Sequence, residues 1–246
     1  MSAPAENPAA VSWEAQVKGQ IRRRYEGIAV RGFEHRTGAE RALAAGYTRQ
    51  FMESLPGAVA DAYCGCGHPL ADGVLAGLDL GRVRIAVDLG CGAGIDTRLL
   101  AGLLEPQSLV IGLDMTPGML ALAGVGPVRT MASDMEALAL ADGVADLVIA
   151  NASFNLTTDK RTAFTEAYRI LKPGGRLAAR DLIRDGDLPP ELMEDPQAWN
   201  TSLGGVLEEK ELLAAMTEAG FFRPRISGHQ PFGPVTSVRL EAVKPE

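Results

Sequence analysis

The sequence predicts an α/β fold in which a mostly parallel sheet is covered by helices on both faces. From Arg84 onward, short apolar runs alternate with stretches of helical periodicity, which is typical of β-α-β units. The first apolar run also leads into a glycine-rich turn, Gly90-Cys91-Gly92-Ala93-Gly94, that opens a helix. Such turns are found in α/β domains that bind nucleotide-like ligands.

The predicted elements follow one another along the chain. An amphipathic helix is expected over 13–30 and a second helix over 39–56, ended at Pro56. The predicted strands of the parallel sheet are Ile85–Leu89, Leu109–Leu113, Val128–Ala132, Leu147–Ala150 and Leu177–Arg180. Helices are predicted at about 94–104, 116–123, 159–171 (with Thr158 as its cap) and 208–219, and closing strands at Phe221–Ser227 and Thr236–Val243.

The length of 246 residues fits one sizeable core with an added cap. We therefore expect residues 1–80 to form an N-terminal helical cap with a Cys-Gly-Cys loop, and residues 81–246 to form the core. Several prolines and glycines interrupt the alternation over 184–207. This stretch is predicted to be an insertion after the fifth strand.

Composition narrows the function classes. The formal net charge of -7, without a long basic run, argues against a nucleic-acid or anionic-membrane surface. The cluster Arg22, Arg23 and Arg24 is expected to be the solvated face of the first helix. No apolar run has the length of a signal peptide or membrane span, and the three cysteines are an odd number. These features predict a cytoplasmic protein with reduced thiols.

The glycine-rich turn predicts a ligand site. The glycines of Gly90-x-Gly92-x-Gly94 leave no side-chain bulk, so the backbone can approach a ligand, and N–H groups of the next helix can face it. A dinucleotide-binding fold usually has another glycine where this chain has Ile95. The sequence therefore disfavours a nicotinamide dinucleotide.

Polar residues follow the next strands at the same edge of the sheet. Asp114 ends the second strand, where a carboxylate can accept both hydroxyls of a ribose. Asp134 follows the third strand and can accept from an adenine amino group, with Met115 and Met135 as apolar plates. Asn151 closes the fourth strand. Asp134 as a turn residue and Met115 as a packing residue remain alternatives.

Together with Leu171-Lys172-Pro173-Gly174-Gly175 before the fifth strand, these features resemble the class I S-adenosylmethionine-dependent methyltransferases across about 84–182. The resemblance implies a Rossmann-like sheet with a reversed terminal hairpin, and S-adenosylmethionine as cofactor. The cofactor-binding residues that it implies are Asp88, Gly90, Cys91, Gly92, Gly94, Asp114, Met115, Asp134, Met135 and Asn151.

Three further stretches are similar to the arsenite methyltransferase branch of that class. They are residues 112–120 (GLDMTPGML), residues 151–160 (NASFNLTTDK) and residues 63–70 (YCGCGHPL). The last stands where the branch has a Gly-Cys-Gly-Asn-Pro segment, which implies Cys66 as the arsenic-binding thiol. Ser202 stands where the branch has another cysteine, and its N-terminal cysteine pair has no counterpart after Tyr25-Glu26-Gly27. Soft thiolates hold trivalent arsenic, so we expect arsenite to bind only if Cys64 and Cys66 bind it together.

The acceptor site is predicted around the Cys-Gly-Cys loop. Residues i and i+2 of an extended segment point the same way, so the sulfurs of Cys64 and Cys66 can face one pocket. Packing, substrate contact and soft-metal binding stay open for this pair. Tetrahedral zinc needs four ligands and only His68 is near in sequence, so no metal is expected. The predicted substrate-binding residues are Tyr63, Cys64, Cys66, Asn155 and Ser202, and the predicted catalytic residues are Cys66, His68 and Tyr25.

The expected function is methyl transfer to a small-molecule acceptor, such as a thiol, a metalloid or a natural-product intermediate. The acceptor is expected between the N-terminal cap, the 64–70 loop and the 184–207 insertion. His68 is the candidate base for an acceptor that must lose a proton, with a turn histidine as the alternative. A non-methylating enzyme on this fold, by cyclisation or decarboxylation, and a non-enzymatic sensor of metalloid or cofactor are the alternative functions.

Overall fold

The computed structural model describes residues 11–32, 38–71, 75, 78–124, 128–186, 199 and 202–246. Its strands are β1 (Ile85–Leu89), β2 (Leu109–Asp114), β3 (Arg129–Ala132), β4 (Ala145–Asn151), β5 (Leu171–Ile183), β6 (Phe222–Phe232) and β7 (Val235–Val243). They form one sheet in the order β3-β2-β1-β4-β5-β7-β6, in which β1 to β5 are parallel and β7 is antiparallel to both β5 and β6. The predicted Rossmann-like sheet is confirmed.

Helices cover both faces of this sheet. They are α1 (Trp13–Arg31), α2 (Gly38–Ala44), α3 (Arg49–Glu53), α4 (Gly57–Asp61), α5 (Ile95–Leu103), α6 (Pro117–Ala123), α7 (Lys160–Ile170) and α8 (Glu209–Glu218). Phe164 of α7 and Met216 of α8 are fully buried in one apolar cluster, whereas Leu100 of α5 is buried in a separate one with Leu147 and Ile149 of β4. The alternation along β4 thus supplies a core to each face.

The prediction of one helix over 39–56 is wrong, because the chain turns sharply between α2 and α3. Gly46 adopts a positive φ of 100°, which favours glycine and interrupts a helix. Thr48 then starts α3 as its N-cap, where its side chain accepts a 3.2 Å hydrogen bond from the Phe51 N–H. The same turn places the ring of Tyr47 in the interior, where it is 3% exposed.

Helix α1 is fixed against the core at both ends. Near its start, the ring of Trp13 meets the ring of Trp199 edge to face, with centroids 5.1 Å apart. Val17 is buried in the same cluster. Towards its end, the Glu26 carboxylate accepts a 3.0 Å hydrogen bond from the Gly118 N–H, in the first turn of α6, where a helix favours negative charge.

Strand β5 starts earlier than the sequence predicts. The stretch after α7 pairs with the chain end: the Gly174 N–H donates to Lys244 and the Lys244 N–H donates to Gly175, both at 2.9 Å. The N-cap of helix α7 is Asp159, one residue after the predicted Thr158. Most of the predicted insertion, 187–198 and 200–201, lies outside the described residues. The division of the chain at residue 80 remains a prediction.

Candidate active site

Each glycine of the turn after β1 has its own reason to be glycine. All three have positive φ: 70° at Gly90, 52° at Gly92 and 78° at Gly94. A Cβ on Gly90 would lie 2.5 Å from the Cβ of Ser153, and one on Gly94 would lie 3.0 Å from the Cβ of Ala123. A Cβ on Gly92 would meet nothing within 4 Å. Gly90 and Gly94 therefore permit close packing, whereas Gly92 keeps space open.

That space belongs to a cavity of about 960 Å³ at the carboxyl ends of β1, β2 and β4, counted to its open mouth. This is the edge at which open α/β sheets bind ligands. The first cavity contains most of the predicted cofactor residues. Its lining includes Asp88, Gly90, Cys91, Gly92, Asp114, Met115, Asp134, Met135 and Asn151, together with Tyr25, Tyr63 and Cys64.

Asp114 stands at the end of β2 with both carboxylate oxygens on backbone donors. It accepts 2.9 Å and 2.8 Å hydrogen bonds from the N–H groups of Gly92 and Thr116. Burial raises its pKa, while these two N–H groups act in the opposite direction. Because each carboxylate oxygen can accept a second hydrogen bond, Asp114 can still receive hydroxyl groups of a ligand from the cavity.

Asp134 is connected to helix α1. Its carboxylate accepts a 2.7 Å hydrogen bond from Lys18 Nζ, which also lies 2.8 Å from Glu136. The Glu136 N–H donates to the other oxygen of Asp134 at 2.9 Å. These bonds therefore fix the carboxylate of Asp134 at the cavity wall. Through Lys18 they also attach α1 to the wall where adenine is predicted to bind.

Asn151 connects β4 to the Cys-Gly-Cys loop. Its amide oxygen accepts from the Cys66 N–H at 3.0 Å, and its amide nitrogen donates to the Gly67 carbonyl at 2.8 Å and to Asp96 at 2.9 Å. Tyr47 donates a 2.5 Å hydrogen bond to the other oxygen of Asp96. Asn151 thus fixes the loop and Asp96 relative to the strand end.

Asp96 was not predicted as a site residue, although it lines the first cavity. It lies in the first turn of α5, where the helix dipole favours a carboxylate. Burial raises its pKa to about 6, against the hydrogen bonds from Tyr47 and Asn151. The sequence signal that could have identified Asp96 is its carboxylate directly after the glycine-rich turn. In this position Asp96 faces the cavity as a partner for a cationic group.

A second cavity of about 410 Å³ adjoins the first. Its described lining is Arg24, Tyr25, Arg41, Cys64, Cys66, Ala152, Leu182, Ser202 and Phe232. Tyr25, Cys64 and Ala152 line both cavities. The two cavities therefore adjoin at this shared wall.

The thiols that line the second cavity are neutral near pH 7. Burial raises the pKa of Cys64 to about 12, with the nearby guanidinium groups of Arg41 and Arg24 acting in the opposite direction. Burial and the charge of Asp181 raise the pKa of Cys66. Burial also raises the pKa of the Tyr25 phenol, and the Cys64 thiol adds to the effect. Neither sulfur is thus an ionised nucleophile of its own accord.

Some predicted site residues lie outside both described linings. The ring of His68 stacks on Tyr47 with centroids 4.2 Å apart, and its Nδ1 accepts a 3.2 Å hydrogen bond from the Leu70 N–H. Asn155 is 3% exposed, and its amide donates to the Ser202 carbonyl at 3.0 Å. Gly94 packs against α6. Asn155 thus holds the backbone of Ser202 by a hydrogen bond, and His68 packs against the ring of Tyr47.

Arg24 differs from its neighbours in the predicted solvated cluster. Arg22 and Arg23 are exposed, but Arg24 is half-buried and lines the second cavity. The signal was its spacing, since Arg24 follows the buried Ile21 by three positions and therefore shares its helix face. Arg41 was not predicted as a site residue, and it reaches the cavity from α2.

The donor set fits a nucleoside cofactor. Gly92 leaves space for a ligand to approach the protein backbone. Asp114 and Asp134 present carboxylate oxygens, and Met115 and Met135 supply apolar surface. Within the described ranges, no three His, Cys, Asp or Glu side chains are grouped to hold a metal ion. None of the described helices combines the length and apolarity required to span a membrane.

Comparison with known proteins agrees with this geometry. Residues 87–179 match the family model described as "Methyltransferase domain". This part of the chain is a class I methyltransferase domain. The predicted class I S-adenosylmethionine-dependent methyltransferase is confirmed, and S-adenosylmethionine is confirmed as the cofactor of the domain.

Individual relatives are similar to the chain over more than the matched domain. The chain is similar to arsenite methyltransferases of Halobacterium salinarum (34% identity, 66% of this chain and 42% of the relative) and Aquipseudomonas alcaligenes (34% identity, 73% of this chain and 54% of the relative). A solved arsenic(III) S-adenosylmethionine methyltransferase from Chlamydomonas reinhardtii matches with a TM-score of 0.63 at 25% identity, over 85% of this chain and 73% of that one. The chain thus spans about half the length of these curated relatives.

Proposed function

We propose that the chain transfers a methyl group from S-adenosylmethionine to a small-molecule acceptor bound in the second cavity. The observation that carries the proposal is the shared wall, because Tyr25, Cys64 and Ala152 face both cavities. A methyl donor in the first cavity and an acceptor in the second are then neighbours. Alignment of the two reacting atoms in such a site supplies much of the catalysis in a displacement reaction.

The residues that hold the cofactor follow from the first cavity. Asp114 accepts the ribose hydroxyls, Asp134 accepts from the adenine amino group, and Asp96 faces a cationic group of the ligand. S-adenosylmethionine supplies a methyl group on a positively charged sulfur. Tyr25 and Ala152 exclude water from the wall where transfer takes place.

The transfer itself requires little of the protein. A bond forms between the acceptor atom and the methyl carbon while the bond between that carbon and the cofactor sulfur breaks. The products are the methylated acceptor and S-adenosylhomocysteine, and a thiol acceptor releases its proton to solvent. No described carboxylate or histidine lines the second cavity. This favours acceptors that ionise readily over those that need a base, and leaves the predicted role of His68 without support.

Trivalent arsenic is a second candidate acceptor, favoured by two observations. Cys64 and Cys66 both line the second cavity, which supports a site where the two thiols bind one arsenic atom together. The similar proteins from Halobacterium salinarum and Aquipseudomonas alcaligenes are arsenite methyltransferases. A thiol that binds arsenite replaces one of its hydroxyl groups, which leaves as water together with the thiol proton, so the raised pKa values slow this binding without forbidding it.

The test measures S-adenosylhomocysteine formed with thiols, phenols and arsenite as acceptors. Turnover with any of them supports methyl transfer. Tight binding of the cofactor without turnover on the whole panel would contradict it and favour a non-methylating enzyme or a sensor. For arsenic, Cys66→Ser is expected to abolish arsenite binding. Cys91→Ser is the matched control, since Cys91 lines the first cavity but is absent from the described lining of the second.

A further inference from the structure

The described linings of the two cavities differ in their ionisable side chains. Five acidic residues line the first cavity beside the single lysine of its described wall: Asp88, Asp96, Asp114, Asp134 and Glu136. The described lining of the second cavity contains two arginines, Arg24 and Arg41, and no carboxylate. Its thiols and its phenol are neutral near pH 7, so Arg24 and Arg41 are the charged side chains of its described lining.

We propose that the acceptor carries an oxyanion, such as a carboxylate or a phosphate, and that Arg24 and Arg41 bind it in the second cavity. This inference rests on the proposed function and names the substrate class of that same site. A guanidinium group presents N–H donors in a planar fork that matches carboxylate and phosphate oxygens. The anion is the anchor of the acceptor, beside the atom that receives the methyl group.

The placement of the two arginines supports an anchor rather than a surface charge. Arg24 comes from α1 and Arg41 from α2, so two separate elements converge on one cavity. Both guanidinium groups act on the Cys64 thiol, which belongs to the wall shared with the cofactor. An anion bound between them therefore stands next to the reacting position.

The first experiment measures binding without turnover. Malonate is titrated calorimetrically into the chain loaded with S-adenosylhomocysteine, with uncharged malonamide as the matched ligand. We expect malonate to bind and malonamide to bind at least about tenfold more weakly, since a hydrogen bond between two charged groups is stronger than one to a neutral group. Inorganic phosphate in place of malonate shows which of the two oxyanions is preferred, and preference for either supports the proposal.

Variants assign the binding to the arginines. Arg24→Gln and Arg41→Gln are each expected to weaken malonate binding about tenfold or more, with the affinity for S-adenosylhomocysteine unchanged as evidence of correct folding. Arg24→Lys keeps the positive charge but loses the planar fork of N–H donors, so its affinity for malonate is expected to lie between those of the wild type and Arg24→Gln. Arg23→Gln is the control, because Arg23 is exposed on the same helix. Malonate binding that is absent, or equal in wild type and both Gln variants, would overturn the proposal.

The second experiment uses turnover with a matched pair of thiols. 3-Mercaptopropionate and its neutral amide differ only in the charged group, and S-adenosylhomocysteine formation is followed for both. The acid is expected to have the lower KM, and Arg24→Gln is expected to raise that KM while the KM of the amide stays constant. Equal KM values for acid and amide count against the anion site. Absence of turnover with Arg-dependent malonate binding would instead refute methyl transfer and leave the anion site standing.

Discussion

Substitution of the glycines after β1 separates packing from cofactor binding. Gly90→Ala and Gly92→Ala both place a side chain at positive φ, of 70° and 52°, which costs about 1–2 kcal/mol. Only the Gly90 substitution also drives a Cβ to 2.5 Å from the Cβ of Ser153, and such overpacking adds about 1–3 kcal/mol. Ser153 cannot easily withdraw, because its hydroxyl donates to the Leu89 carbonyl at 2.8 Å.

The expected loss is therefore about 2–5 kcal/mol for Gly90→Ala and about 1–2 kcal/mol for Gly92→Ala. In a chain of this size the Tm falls by about 4–20 °C and about 2–8 °C respectively. The new methyl group of Gly92→Ala projects into the first cavity, so this variant should also bind S-adenosylhomocysteine about tenfold more weakly, the equivalent of about 1.4 kcal/mol.

Thermal unfolding and calorimetric titration of S-adenosylhomocysteine check these values. Gly102→Ala is the control, because Gly102 lies in α5 with nothing within 4 Å of its added Cβ and without positive φ. It should keep full cofactor affinity and gain stability. Wild-type affinity in Gly92→Ala would refute the cofactor site, and equal destabilisation of the Gly90 and Gly92 variants would refute the packing argument.

Three further predictions concern stability. Burial and the charge of Asp96 raise the pKa of Asp88 to about 8. The folded state therefore holds the Asp88 proton more tightly than the unfolded state, and the wild type loses stability as pH rises from about 4 to 8. Relative to the wild type, Asp88→Asn should gain up to about 1.4 kcal/mol per pH unit over this range, measured by urea unfolding at several pH values. Lys18→Met removes the ion pairs to Asp134 and Glu136 and should cost about 1 kcal/mol at low salt and less at high salt, whereas Lys210→Met, whose ion pair is exposed, should cost little. Phe164→Ala removes a fully buried ring that stacks on Phe154 at 4.1 Å and should lower the free energy of unfolding by about 3–5 kcal/mol in chemical denaturation; a loss under 1 kcal/mol would contradict the packing described.

The sheet and much of the lining of the first cavity could be predicted because they depend on local patterns. Apolar runs of strand length, separated by helical stretches, determine a parallel sheet, and its carboxyl edge collects the residue after each strand. Asp114 and Asp134 were found in this way. The prediction failed over 39–56, where Gly46 and Thr48 end one helix and start another within a pattern that is otherwise helical.

The acceptor side could be predicted only in part because it depends on contacts between distant segments. Arg24 stands among three arginines, and only the face that it shares with Ile21 distinguishes it from its exposed neighbours. Arg41 reaches the same cavity from another helix. The position of Cys66 follows from its bond to Asn151, which is far away in the sequence. Such convergence leaves no periodic signal.

Helix α1 presents different side chains to the two cavities over a short length. Lys18 and Ile21 line the first, Arg24 lines the second, and Tyr25 lines both. The stretch from Lys18 to Tyr25 measures about 10 Å, since an α-helix rises about 1.5 Å per residue. A helix is stiff over that distance, so a tilt or slide of α1 reshapes both cavities in a single movement. We therefore expect a ligand that holds α1 in place at one cavity to alter the affinity of the other, by a factor that thermodynamic linkage makes the same in both directions.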